Sequence, residues 1–350
     1  MLIVMTEDRY DPIEPGPYRV GVRTFEVRDA GRARVFPGEL WYPAATTPAG
    51  EAGGQRTVPA EERGAPAAHG LHPLVIFSHF SGGGRRTATY LTRHLASHGY
   101  AVAAMDHSEV VAPELGPSPD EDPTDRASRI DAIMGSRVPD VQVALAALTG
   151  PHRPDGLDGI GLSAELIGVA GHSFGGWTAL AVPEQEPRVR AVVALAPGGS
   201  SRPLPGVLPL TLAFGWKHVV PVLILTGDCD VPVPLDGVQE IYARAPEPKR
   251  MFVLHGADHQ HFADDVEASH EAFRAMTLPG EAAWMTAAML PISELCPGEH
   301  GHLFACGLTL AHLDSALRGD ALAQEFLASR AEVALAARGV DVAQYAGPAR

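Results

Sequence analysis

Cysteine is scarce: Cys229, Cys296 and Cys306 are the only three in 350 residues. An odd, low count excludes a disulfide framework. The three read as free thiols; Cys296 and Cys306 would bridge a short loop only in an oxidising compartment. Leader features are also missing. The first residues, MLIVMTEDRYDPIEPGPY, lack a basic stretch and a long apolar stretch, so no secretory signal is read and a cytoplasmic location is expected. No apolar run approaches the length of a bilayer span. Positive charge is short as well. A net charge of −15 repels phosphate backbones and anionic membrane surfaces, so neither nucleic acid nor such a membrane is an expected partner. What remains, 45% hydrophobic and 20% charged residues, is an ordinary globular composition with ample length for a large core. Nothing in it sets an oligomeric state.

Short apolar runs then recur along the chain. PLVIFSH (73–79), YAVAAMD (100–106), LIGVAGHS (166–173), VRAVVALAP (189–197), VPVLILTGD (220–228) and KRMFVLHGAD (249–258) are continuous rather than alternating. That pattern marks strands buried on both faces of a mostly parallel sheet. Helical patterns fall between them, at 85–99, 140–150, from Ser173 to a stop at Pro183, and at 236–245. Strand alternating with helix predicts an α/β fold with helices on both faces of the sheet. Two leading strands, probed by YRVGVRTFEVRD and ARVFPGELWYPA, are expected to be antiparallel. Residues 44–72 read as a long solvated, mobile loop and 112–125 as a second, acidic and proline-rich loop. Residues 264–350 read as a helical extension packed on the same domain, so one domain is expected over 1–350.

One run ends in G171-H172-S173-F174-G175, which fits G-x-S-x-G between a strand and a helix. The glycines permit a turn too tight for side chains, and the turn lifts the Ser173 hydroxyl out of the sheet. Such a hydroxyl needs a histidine to take its proton and a carboxylate to orient that histidine. In this architecture both follow the serine, each beyond a strand. The acid is Asp228 or Asp230; Asp230, deeper in the turn, is preferred. The base is taken as His259, two residues past the Gly256-Ala257 turn, over His255, still in the strand, and His261. A metal site on His255, His259 and His261 lacks a second ligand cluster, so no metal and no cofactor are expected. The oxyanion would be held by the backbone N–H of Phe174 and by the glycine-rich loop 78–84, with Ser81 the first choice and Phe80 the second. Phe80, His107 and Trp177 are expected to line the substrate pocket, with the loop 198–216 as part of its wall.

These motifs, with L95-A96-S97-H98-G99-Y100, A103-A104-M105-D106-H107 and the later T309-L310-A311-H312-L313-D314, resemble bacterial relatives of platelet-activating factor acetylhydrolase, often described as predicted dienelactone hydrolases, within the α/β-hydrolase superfamily. Cutinase-like polyester hydrolases share the framework. The resemblance spans about residues 20 to 327. It implies the α/β-hydrolase fold, Ser173 as nucleophile, Asp230 as acid, His259 as base and oxyanion donors at Ser81 and Phe174. Phe80 stands where the family usually has glycine and would crowd the acyl side. Dienelactone hydrolases use a cysteine nucleophile, so dienelactone is not the expected substrate. The expected activity is hydrolysis of short-acyl or small carboxylic esters through an acyl-enzyme. Polyester or lipid-ester hydrolysis, amide hydrolysis on the same residues, and a non-catalytic binding scaffold are the alternatives.

Overall fold

The computed structural model describes residues 10–45, 60–116, 118, 121–278 and 280–347. Its first two strands are β1 (Arg19–Asp29) and β2 (Arg34–Ala44), paired antiparallel as the sequence suggests. A three-residue strand, β3 (Glu61–Arg63), pairs parallel to β1. The expected loop 44–72 is therefore corrected over its described part: Ala44 closes β2 and 61–63 join the sheet. Residues 46–59 lie outside the described residues.

Then follow β4 (His72–Ser78), α1 (Thr89–Ser97), β5 (Ala101–Met105), α2 (Ser108–Val111) and α3 (Pro123–Thr149). The helix α3 is far longer than the one expected at 140–150. Its start is the part taken for a loop: Pro123 sits in the first turn, and the Asp122 carboxylate caps the N–H groups of Thr124 and Asp125. Pro139 lies inside it without ending it. Next come β6 (Leu162–His172), α4 (Phe174–Ala181), β7 (Val189–Leu195), β8 (Val222–Gly227), α5 (Leu235–Arg244) and β9 (Lys249–Leu254). The extension contributes α6 (Val266–Arg274), α7 (Trp284–Ala288), α8 (Gly298–Leu313), α9 (Ala321–Glu325) and α10 (Ala331–Ala336). It ends in a strand the sequence pattern did not show, β10 (Val342–Gln344), antiparallel to β9.

The sheet order is β10-β9-β8-β7-β6-β4-β5-β2-β1-β3, parallel from β5 to β9. Successive residues of each central strand serve opposite faces. Leu74 and Ile76 of β4 pack with α3, α4 and α5 on one face; Val75 and Phe77 pack with α1, α8 and the residues around Phe326 and Leu335 on the other. Both faces are thus covered, which explains the continuous apolar runs. After β4 the chain steps to β5 on one side, then returns to β6 on the other. That reversal opens a crevice at the carboxyl ends of β4 and β6, the place where doubly wound sheets bind ligands. No helix among the described residues is long and apolar enough to cross a membrane.

Candidate active site

Ser173 sits between β6 and α4 with φ 59° and ψ −114°. A non-glycine residue rarely adopts this conformation, which costs about 1–3 kcal/mol and persists only where its surroundings impose it. Here they do: the Ser173 N–H donates to the Leu195 carbonyl at 2.8 Å, and Trp177 N–H donates back to the Ser173 carbonyl at 3.0 Å. The flanking glycines have a steric reason. A Cβ on Gly171 would fall on the carbonyl of Gly175, and a Cβ on Gly175 would fall on the carbonyl of Ser78. The elbow is therefore pressed against the end of β4, bringing the loop after β4 beside Ser173.

The two candidate acids separate cleanly. Asp230 is buried, and its Oδ2 accepts from His259 Nδ1 at 2.7 Å while Oδ1 accepts from the Val233 N–H at 2.8 Å. Asp228 is more exposed and takes His255 Nδ1 and the Gly256 N–H, both at 2.8 Å. It straps the loop after β8 to the loop after β9. His261 takes a third carboxylate, Asp258, which also accepts from His270 Nδ1 at 2.6 Å. The three histidines of the 255–261 run thus face three different aspartates. Burial opposes charge on His259, but the Asp230 carboxylate outweighs it and holds the imidazole above its ordinary value. Burial pushes the Asp230 carboxyl up, against the pull of His259. His261 reaches about 10; burial opposes it, and the bonds to Asp258 and to the Cys296 carbonyl prevail.

His172, the residue before the serine, lies 4.6 Å from His259 between ring centroids and packs on Phe80 and Phe262 as well. Neither of its ring nitrogens has a hydrogen-bond partner among the described residues. Burial, then the neighbouring His259, drives its pKa well below the ordinary range, so it is a neutral apolar plate against the candidate base.

The candidate oxyanion donors are the amides of Phe174, at the start of α4, and of Phe80 and Ser81, in the loop after β4. Phe174 N–H opens α4 and has no carbonyl one turn earlier to accept it. Neither the Phe80 nor the Ser81 amide donates to a backbone carbonyl of a described residue. Phe80 is half-buried with its ring edge on His172. Trp177 is buried, its indole N–H on the Thr211 carbonyl at 2.7 Å and its ring against Phe174.

His107 requires correction. It is fully buried behind the loop, with Nε2 2.8 Å from Ser78 Oγ and Nδ1 3.2 Å from Asp140 Oδ2. It cannot line a pocket, because its ring is enclosed by the end of β4, by α2 and by α3. Ser78, His107 and Asp140 form a second Ser–His–Asp string, but all three are closed to solvent and offer no approach to a substrate. Ser108 belongs to the same enclosed network through Asp140.

A cavity of about 260 Å³ opens between the loop after β7 and the loop that carries Asp230. Pro197, Gly198, Leu204 and Leu208 form one wall, Val233 and Ile241 the other. Gly198 ties it to the elbow, donating its N–H to the Ser173 carbonyl at 3.3 Å. Residues of the stretch 198–208 line this cavity, whose lining includes neither Ser173 and His259 nor the expected pocket residues Phe80 and Trp177. From the extension, Trp284 Nε1 reaches this wall at the Pro205 carbonyl, 3.0 Å away.

Comparison with known proteins follows the same lines. A family model described as platelet-activating factor acetylhydrolase, isoform II, matches residues 49–114, which include the loop after β4 and stop short of Ser173. Cutinase est1 of Thermobifida alba is 24% identical over 186 residues, 53% of this chain and 51% of that one. Cutinase 2 of Thermobifida cellulosilytica is 24% identical over 198 residues, 55% and 63% of the two chains. The chain therefore spans between half and two thirds of the length of these curated relatives. The solved structure of a ferulic acid esterase from Streptomyces cinnamoneus superposes with a TM-score of 0.60 at 24% identity, over 88% of this chain and 92% of that one. The chain has the α/β-hydrolase fold, and its likeness to acetylhydrolases and cutinases, read from the motifs, recurs in these matches.

Proposed function

We propose that this α/β-hydrolase cleaves carboxylic esters, with Ser173 as nucleophile, His259 as base and Asp230 as the acid that orients it. The observation that carries the reading is the buried Asp230–His259 bond of 2.7 Å, on an imidazole that packs 4.6 Å from His172, the residue before a serine held at φ 59°. Ser173 Oγ bonds to the ester carbonyl carbon while His259 Nε2 takes the hydroxyl proton. Asp230 keeps Nδ1–H directed at itself and stabilises the imidazolium. The oxyanion accepts from the N–H of Phe174 and from Ser81 or Phe80. As the C–O bond breaks, His259 returns the proton to the leaving alcohol. Water then attacks the acyl-enzyme, losing its proton to His259; Ser173 leaves reprotonated and the carboxylic acid departs.

The names of the matched proteins, acetylhydrolase, cutinase and esterase, support ester substrates. The cavity supports small ones. Its volume of about 260 Å³ lies below the usual range for drug-sized ligands and suits a short acyl chain or a single ring. A fluorophosphonate should label the intact protein, and Ser173→Ala should abolish both labelling and esterase activity. Retained activity in Ser173→Ala removes the assignment. Among nitrophenyl esters of increasing acyl length, turnover should fall beyond about six carbons, the span that such a cavity holds; a preference for long chains would show that another surface receives the acyl group.

A further inference from the structure

The loop after β4 owes its shape to a residue outside the motifs. Arg137, on α3, is fully buried. Its Nη1 donates to the His79 carbonyl at 2.8 Å and to Ser78 Oγ at 3.1 Å. Its Nη2 lies 3.5 Å from the Phe80 carbonyl and pairs with Glu109. Its guanidinium carbon is 4.0 Å from the centroid of the Phe174 ring. One cation thus touches the Phe174 ring and the carbonyls of the two peptide planes that carry the Phe80 and Ser81 amides.

Peptide planarity gives these contacts a direction. In a trans peptide the carbonyl of one residue and the N–H of the next point opposite ways. The His79 carbonyl belongs to the plane that carries the Phe80 N–H; the Phe80 carbonyl belongs to the plane that carries the Ser81 N–H. Drawing both carbonyls towards α3 turns both amides away from it. His79 reinforces the second plane: its Nδ1–H donates to the Phe80 carbonyl at 2.7 Å, and its Nε2 accepts the His107 N–H at 3.2 Å. This pair of bonds fixes the tautomer, and burial keeps the ring neutral. A donor on a carbonyl also polarises the attached amide, strengthening its N–H as a donor in turn. A fully buried arginine is a poor choice for stability alone, because desolvating it and its carboxylate offsets their attraction.

We infer that Arg137 is a positioning residue for the oxyanion hole, holding and polarising the 79–80 and 80–81 peptides from behind. The inference rests on the esterase reading above. It predicts a loss in transition-state binding with little change in ground-state binding. Arg137→Lys keeps the charge but not the fork, and Arg137→Gln keeps a planar donor without the charge. Each should lower kcat on p-nitrophenyl acetate by about 10- to 100-fold, somewhat less than the loss of an oxyanion donor itself, while KM stays within about twofold. Affinity for phenylboronic acid, which becomes tetrahedral on the serine, should fall by the same factor as kcat/KM. All rates are taken per site titrated by prolonged fluorophosphonate labelling, so unfolded protein drops out. A merely structural role would lower Tm and the number of sites but leave kcat per site and boronate affinity alone. Glu109→Ala removes only the anchor of Nη2 at the half-buried end, and should lower kcat several-fold at constant KM. Unchanged kcat per site and unchanged boronate affinity in whichever of the three variants folds overturns the inference. Absence of labelling in the unaltered protein would instead overturn the esterase reading itself.

Discussion

Asp230→Asn tests the proposed chemistry most sharply, because its neighbours dictate how the new amide must sit. Asp230 receives two donors, Val233 N–H on Oδ1 and His259 Nδ1–H on Oδ2. Asparagine has one carbonyl oxygen for two donors. If that oxygen faces His259, the NH₂ group is pressed on the Val233 N–H, and two buried donors go unsatisfied at about 1–3 kcal/mol each. If it faces Val233, every group is satisfied, but the NH₂ donates to Nδ1 and forces the His259 proton onto Nε2. That nitrogen can then no longer accept from Ser173. The second arrangement should dominate by roughly 30-fold or more, the equivalent of at least about 2 kcal/mol. Loss of the carboxylate charge opposite the imidazolium adds to it. Together kcat should fall by about 10³–10⁴, or roughly 4–5.5 kcal/mol in the barrier. The pH profile should move too. His259 must be neutral to accept a proton, and Asp230 holds its pKa above the ordinary value. The acid limb of kcat/KM in the unaltered protein therefore lies above about 6.5. In Asp230→Asn burial is opposed only by the weaker pull of Asp258, so the residual activity should persist to lower pH. Stopped-flow and steady-state ester hydrolysis between pH 4 and 9 would measure both effects. A variant within tenfold of the parent, or one with an unmoved acid limb, refutes the reasoning. Asp228→Asn is the control: its pair with His255 is partly exposed, and such pairs contribute about 0–1 kcal/mol, so activity should stay within about fivefold.

Ser173→Gly should raise stability while abolishing turnover, because glycine adopts φ 59° freely. Relief of strain less the added chain entropy leaves about 1 kcal/mol, or a Tm higher by about 2 °C; calorimetry showing no rise would mean the elbow is unstrained. Asp258→Asn should flatten the alkaline side of the stability profile. His261 is raised to about 10 in the folded protein, so its contribution is complete below the unfolded value of about 6.5 and fades as pH rises through about 10. Scanning fluorimetry from pH 6 to 10.5 should show Tm declining in the parent and a shallower slope in the variant; parallel slopes would assign the decline elsewhere.

The parts of the site that the sequence disclosed are those set by adjacent residues. The elbow is local, so glycine spacing and the strand before it sufficed to find Ser173. The strand ends were legible because each apolar run stops where its buried strand stops, which placed Asp230 and His259 on their loops. Between Asp228 and Asp230 the sequence offers little, since it is the packing of β8 on β9 that sets a separate histidine against each. His107 was misplaced because a strand end points at a ligand only if nothing covers it, and α3 covers it. Arg137 left no signal: Ser78, His79 and Glu109 are 28 to 59 positions away in the chain. The edge strands β3 and β10, three residues each, are too short to carry a pattern. The capped start of α3 was hidden by its prolines, which mark a helix's first turn as often as a loop.

The strand order divides the site into two inherited halves. Ser173 and the loop after β4 ride on neighbouring strands, and so do Asp230 and His259, on β8 and β9; β7 alone separates the halves. A slip or loosening at β7 would carry the Asp–His couple away from the serine without disturbing the couple. A spectroscopic signature of that bond, such as a far-downfield Nδ1 proton resonance, would then survive in an inert molecule. The resonance reports the health of one half, and only turnover reports the seam.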